Sequence, residues 1–170
     1  MYPAPTNIWE SIEYSSLGTT IAESTWMFPT IETIHVIALV TVLGTIMIVD
    51  LRLIGVASRD VAVTQLSKDT LPWTWAAFAL AAITGSLLFV SKATSYVNNP
   101  FFLWKLFMMS LAGINMMYFN FITSRTVDHW DLDPSIPFAA KVAGGLSLFF
   151  WLLVVFFGRA IGFTLGIFGN

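Results

Sequence analysis

The sequence predicts an all-α integral membrane four-helix bundle, one membrane domain over residues 1–170, with a short N-terminal interfacial amphipathic segment. Three observations predict it. The first is composition. The chain is 56% hydrophobic and 11% charged, whereas soluble domains are about 45–50% apolar and about 25% charged. The second is charge spacing. Uncharged runs cover 33–49, 70–91, 106–124 and 142–158, bounded by Glu32 and Asp50, Asp69 and Lys92, Lys105 and Arg125, and Lys141 and Arg159. A membrane helix needs roughly 17–25 predominantly apolar residues. Lipid offers backbone groups no water, so such runs are helical. The third is the absence of a polar stripe along these runs, which a soluble bundle would need.

Residues 1–28 alternate Ile8, Trp9, Ile12, Leu17 and Ile21 with Glu10, Glu13, Ser15 and Ser16. That pattern predicts an amphipathic segment lying in the membrane interface. Glu10 and Glu13 stand where a cleavable signal peptide carries basic residues, so the first span is expected to direct insertion. Pro29 and Thr30 open that span, about 29–56. A polar connection over 57–71 follows, with Arg59, Asp60, Lys68 and Asp69. Pro72 opens the second span, about 72–92, and Asn98-Asn99-Pro100 forms a turn. The third span runs about 101–123. A loop over 125–136 holds Arg125, Asp128, His129, Asp131, Asp133 and Pro134, and the fourth span covers about 138–163. Short connections make sequential helices antiparallel neighbours.

Tryptophans mark the span ends, as an aromatic belt does. Trp26 and Trp104 fall at one set of ends, and Trp73, Trp75 and Trp130 at the other; Trp151 is mid-helix. Arg52, Arg59, Lys68, Arg125 and Lys141 lie on one side, and Lys92, Lys105 and Arg159 on the other. The positive-inside bias therefore places both termini outside, in the periplasm of a bacterial inner membrane. Ala77, Ala81 and Gly85 form a small-residue stripe that lets helices approach closely.

Function classes narrow quickly. A net charge of -2 gives nucleic acid no basic patch. Without cysteine there is no disulfide, thiolate zinc site or iron–sulfur cluster. No nucleophile–base pair, phosphate loop or carboxylate pair stands out, so no enzymatic activity is assigned. The chemistry that remains is ionisable. His35 lies about one turn inside the outer end of the first span, with Glu32 three residues earlier on the same face. A carboxylate there is expected to orient the imidazole. Lys105, Met108, Ala112 and Asn115 share one face of the third span, and Met108 is expected at the depth of His35. A histidine and a methionine converging between helices are donors for a haem iron or a copper ion. Asn115 is deeper and wants an interhelical hydrogen bond. Asp50 is expected to reach Lys141 or Arg125, and Arg52 to snorkel to headgroups. His129 lies beyond the inner end of the third span, about a membrane thickness from His35, and is a poor partner for it.

The stretches PTIETIHVIALVTVLGTIMIVDLRLIG, LPWTWAAFALAAITGSLLF, NPFFLWKL and GIN resemble a family of small bacterial four-helix membrane proteins of unassigned function. The positions that carry the resemblance are Pro29, Glu32, His35, Asp50, Arg52, Gly85, Lys105 and Asn115, within about residues 26–120. That family is loosely similar to copper-resistance D-like and b-type cytochrome membrane proteins. Related members often carry a histidine near the end of the third helix, where this chain has Tyr118, Phe119 and Asn120.

The expected function is a small b-type cytochrome-like haem protein in electron transfer or redox sensing. His35 is its metal ligand, and Glu32, Met108, Lys105 and Asn115 surround the cofactor. The alternatives are copper binding, a transporter or channel subunit whose pathway Glu32, His35, Lys105 and Asn115 line, and a cofactor-free structural subunit. The expected partners are the lipid bilayer, further copies of the chain and a redox partner protein.

Overall fold

The computed structural model describes residues 3–122, 124–125, 127, 130–132 and 136–167, and no strand occurs among them. His129 lies outside the described residues. The described residues form seven α-helices in order: α1 Ile8–Glu13, α2 Ser16–Glu23, α3 Met27–Ile54, α4 Val63–Ser91, α5 Ala93–Val97, α6 Pro100–Phe121 and α7 Phe138–Thr164. Helices α3, α4, α6 and α7 are each long and apolar enough to cross a membrane. Their outer faces expose Ile37, Val40, Ile83, Phe107, Ile114, Leu152 and Phe156. A lipid solvent accommodates such faces and water does not.

The N-terminal segment is two capped helices rather than one. The Asn7 side chain accepts the Glu10 N–H at 2.9 Å, and the Glu10 carboxylate accepts the Thr6 N–H at 2.6 Å. This is the reciprocal capping that holds a short helix. Ser15 caps α2 by accepting the Gly18 N–H at 3.2 Å. The pair docks on the bundle: Ile21 is 1% exposed, and Trp9 meets Phe89 edge-on at 6.1 Å. Glu13 then caps α5, accepting the Thr94 N–H at 2.9 Å.

Two span starts differ from the sequence reading. α3 begins at Met27, whose N–H donates to the Ser24 hydroxyl at 3.2 Å, so Pro29 lies within the first turn. α4 begins at Val63, nine residues before Pro72, which stays inside the helix. The cap that starts α4 is remote in sequence. Asp131 accepts the Thr64 N–H at 2.9 Å on one carboxylate oxygen and the Thr64 hydroxyl on the other. Burial alone would raise the Asp131 carboxyl, but the Thr64 hydrogen bonds outweigh it and hold the group below the usual carboxylate range.

Arg52 completes this lock. It is 0% exposed, donating from Nε to the Val61 carbonyl at 2.7 Å and from Nη2 to the Asp131 carbonyl at 3.0 Å. It therefore joins the loop before α4 to the loop before α7 and does not snorkel to headgroups. Trp130, 5% exposed, packs in the same place with Leu53, Val63, Ile136 and Ala140, so it belongs to a core and not to the aromatic belt. Trp26, Trp73, Trp75 and Trp104 are exposed, as belt residues are.

The helices pack in the order α4, α3, α7, α6, with α3 and α7 central. The small stripe meets α3, with Ala77 and Ala81 buried. Thr74 donates to Thr45 at 2.8 Å across the same contact. α4 and α6 meet at one end, where Phe89 stacks on Phe102 at 5.7 Å and Tyr96 lies 5.4 Å from Phe102. At the same end Asn99 caps α6 by accepting the Phe101 N–H at 2.9 Å and donates to the Thr164 hydroxyl of α7 at 3.0 Å.

Candidate functional site around His35

His35 sits on the buried stripe of α3. Ala38 and Val42, three and seven residues further on, are buried on the same face. That stripe meets the stripe of α4 that buries Ala81, Thr84 and Leu88. The His35 Nδ1 lies 3.0 Å from the Thr84 Oγ1. The Thr84 hydroxyl donates its own proton to the Leu80 carbonyl at 2.7 Å. Its oxygen can therefore only accept from the ring, and the Ala81 carbonyl, also an acceptor, faces the ring too. The donor count assigns the proton to Nδ1. In the neutral imidazole this leaves Nε2 with its lone pair.

Gly85 makes room for the ring. A Cβ there would lie 3.0 Å from His35 Cε1 and 3.5 Å from Nδ1, tighter than a packed methyl tolerates. The ring edge thus rests on the α4 backbone, and Thr84 fixes its rotation. Lys105 of α6 lies within electrostatic reach of His35. Its chain runs along α7, where a Cβ on Gly158 would be 3.8 Å from both Cε and Nζ.

The other predicted site residues go elsewhere. Glu32 is exposed and does not orient His35; Thr84 does. Glu32 instead acts on Tyr96, whose phenol is pushed up to about 12 by burial and by the nearby Glu32 charge. Met108 is half-buried on α6, which packs chiefly on α7. Asn115 makes the expected interhelical bond, donating to the Ala143 carbonyl of α7 at 2.9 Å. It lies ten residues along α6 from Lys105, about 15 Å, and serves the α6–α7 contact. Among the described residues no three of His, Cys, Asp or Glu converge on a metal-sized site.

Thr84 was the partner sequence reasoning missed. Its signal was its place beside Gly85 in the small stripe of α4, where a hydroxyl has few partners other than a neighbouring helix. The pattern of a family described as of unknown function, DUF6644, matches residues 8–164. The chain belongs to this family. The DUF6644 match begins at the first residue of α1 and ends at the last of α7, so the N-terminal helix pair is part of the family unit. No curated protein and no solved structure matches the chain.

Proposed function

We propose that this DUF6644 protein is a small b-type haem protein of the membrane, acting in electron transfer or redox sensing, with His35 as an axial ligand. The observation that carries the reading is the Nδ1···Thr84 contact of 3.0 Å, which holds the ring so that Nε2 is the free nitrogen. A ligating histidine is oriented in this way, through its other ring nitrogen. A single imidazole also favours haem over a bare copper ion. The porphyrin brings four nitrogens of its own and asks the protein only for axial donors, whereas copper needs several protein ligands. When bound, the haem supplies reversible one-electron chemistry at its iron.

This chain's residues have divided tasks in that reading. His35 would hold the iron, while Thr84 sets the ring's orientation and Gly85 admits the ring edge. Lys105 supplies a cation suited to a propionate. Neither the cavity of about 290 Å³ beside Ser91 and Lys92 nor that of about 470 Å³ beside Asn115 is lined by His35. The cofactor is accordingly assigned to a contact between copies of the chain, which also supplies the second ligand. Both termini are placed on the periplasmic side of a bacterial inner membrane, and a redox partner protein docks at the outer end.

The test is an absorption spectrum of purified protein reconstituted with haem, oxidised and reduced. A Soret band that moves on reduction and is lost in His35→Ala is expected. An unchanged haem spectrum in the presence of the wild-type protein overturns the reading. A second reading, a polar pathway, is favoured by Lys105 lying inside the bundle near His35. It predicts proton or ion flux in proteoliposomes that disappears in His35→Ala and in Lys105→Met.

A further inference from the structure

Asp50 is the one acid among the described residues that is buried, at 5% exposure. It stands about one turn inside the end of α3 and faces α7. The two helices approach closely here. A Cβ on Gly144 would sit 3.0 Å from the Asp50 carbonyl oxygen and 3.0 Å from the Leu53 Cβ. Ser147, three residues further along α7 on the same face, meets the Asp50 carboxyl. The second carboxyl oxygen, Oδ2, is sealed from solvent and has no hydrogen-bond partner.

No cation answers it among the described residues. Arg52, two residues along the same helix, is turned to Val61 and Asp131. Lys68 and Asp69 of α4, Tyr118 of α6, Arg125 between α6 and α7, and Lys141 of α7 are all exposed. Only Ser147 acts on the carboxyl through a side chain. An isolated carboxylate sealed in an apolar contact is far too costly to persist unpaired. Among the described residues no side chain supplies the missing positive charge, and one carboxyl with one hydroxyl offers too few oxygens to coordinate a metal cation.

We propose that Asp50 and Ser147 form a proton-binding site at the α3–α7 contact. Oδ2 takes a proton from the aqueous phase at this end of the bundle, while the Ser147 hydroxyl holds the other carboxyl oxygen. One O–H bond forms, the side chain passes from one negative charge to none, and release is the reverse. Loss of the proton leaves an unpaired charge where Gly144 lets α3 and α7 approach closely, so occupancy of the site sets how tightly they pack. This site is separate from His35 and does not depend on a haem.

The test uses the full chain in liposomes. Infrared spectra at neutral pH are expected to contain a protonated-carboxyl C=O band that moves in D2O, is absent in Asp50→Asn and shifts in Ser147→Ala. Thermal stability of the wild type is expected to fall as pH rises, and that of Asp50→Asn to stay level. Asn keeps the size of the side chain and needs no proton, so this variant is expected to fold. A wild-type spectrum without the band overturns the proposal. Stability that follows sodium chloride but not choline chloride also overturns it, by assigning the site to sodium.

Discussion

Replacing Thr84 with valine removes one oxygen and keeps the side-chain volume. The change leaves no cavity, so its effect comes from the lost hydroxyl, which meets His35 at 3.0 Å and the Leu80 carbonyl at 2.7 Å. The half-buried imidazole N–H then faces the Ala81 carbonyl alone. Losing one neutral hydrogen bond costs about 0.5–1.5 kcal/mol. For a domain of this size that is a fall of roughly 1–6 °C in Tm. Two assays read it. Thermal unfolding in detergent gives the stability change, and nitrogen NMR of labelled histidine gives the ring's tautomer, which is expected to lose its Nδ1–H preference. A Tm within 1 °C of wild type together with unchanged histidine signals would refute the assignment of Thr84 as the orienting group.

Further outcomes are expected from residues outside the His35 contact. Arg52→Met keeps the apolar stem but orphans the Val61 and Asp131 carbonyls. Two charge-assisted bonds at about 1.5–3 kcal/mol each predict a loss of about 3 kcal/mol or more; a surface-anchored arginine would lose almost nothing in the same melt. The Asp131 carboxyl is held below its usual range. Its contribution is therefore complete above the unfolded value of about 3.9 and is lost as pH falls through the folded value. Acid melting curves of Asp131→Asn should start lower and lose less Tm in that window, and parallel curves would count against the cap. Glu32→Gln should move Tyr96 down from about 12 in an alkaline absorbance titration. It should not return to the ordinary value of about 10, because burial, the larger cause, remains.

The four spans were legible because lipid imposes a length and a polarity that a linear sequence carries openly. The starts of α3 and α4 were less so. Proline is a good first-turn residue, which drew the boundaries to Pro29 and Pro72, yet the helices begin at Met27 and Val63. The α4 start depends on Asp131, sixty-seven residues from Thr64, and local pattern cannot show such a cap. The same holds for Arg52 and Trp130. A positive or aromatic residue at a span end reads as an interfacial anchor, and here both are buried because two loops fold over them.

Local spacing established that the chain is a four-span all-helical membrane protein and that His35 is its chief unassigned donor, because charge gaps and rare residue types are visible one residue at a time. Tertiary structure decided which groups that donor meets. Glu32, at the correct helical spacing, is exposed, and Thr84, forty-nine residues away, takes the ring. It also left the Asp50 Oδ2 sealed at the α7 contact with no hydrogen-bond partner among the described residues. Pairing across helices depends on which faces turn inward and how closely glycines such as Gly85 and Gly144 let backbones approach. That information exists only once the helices are packed.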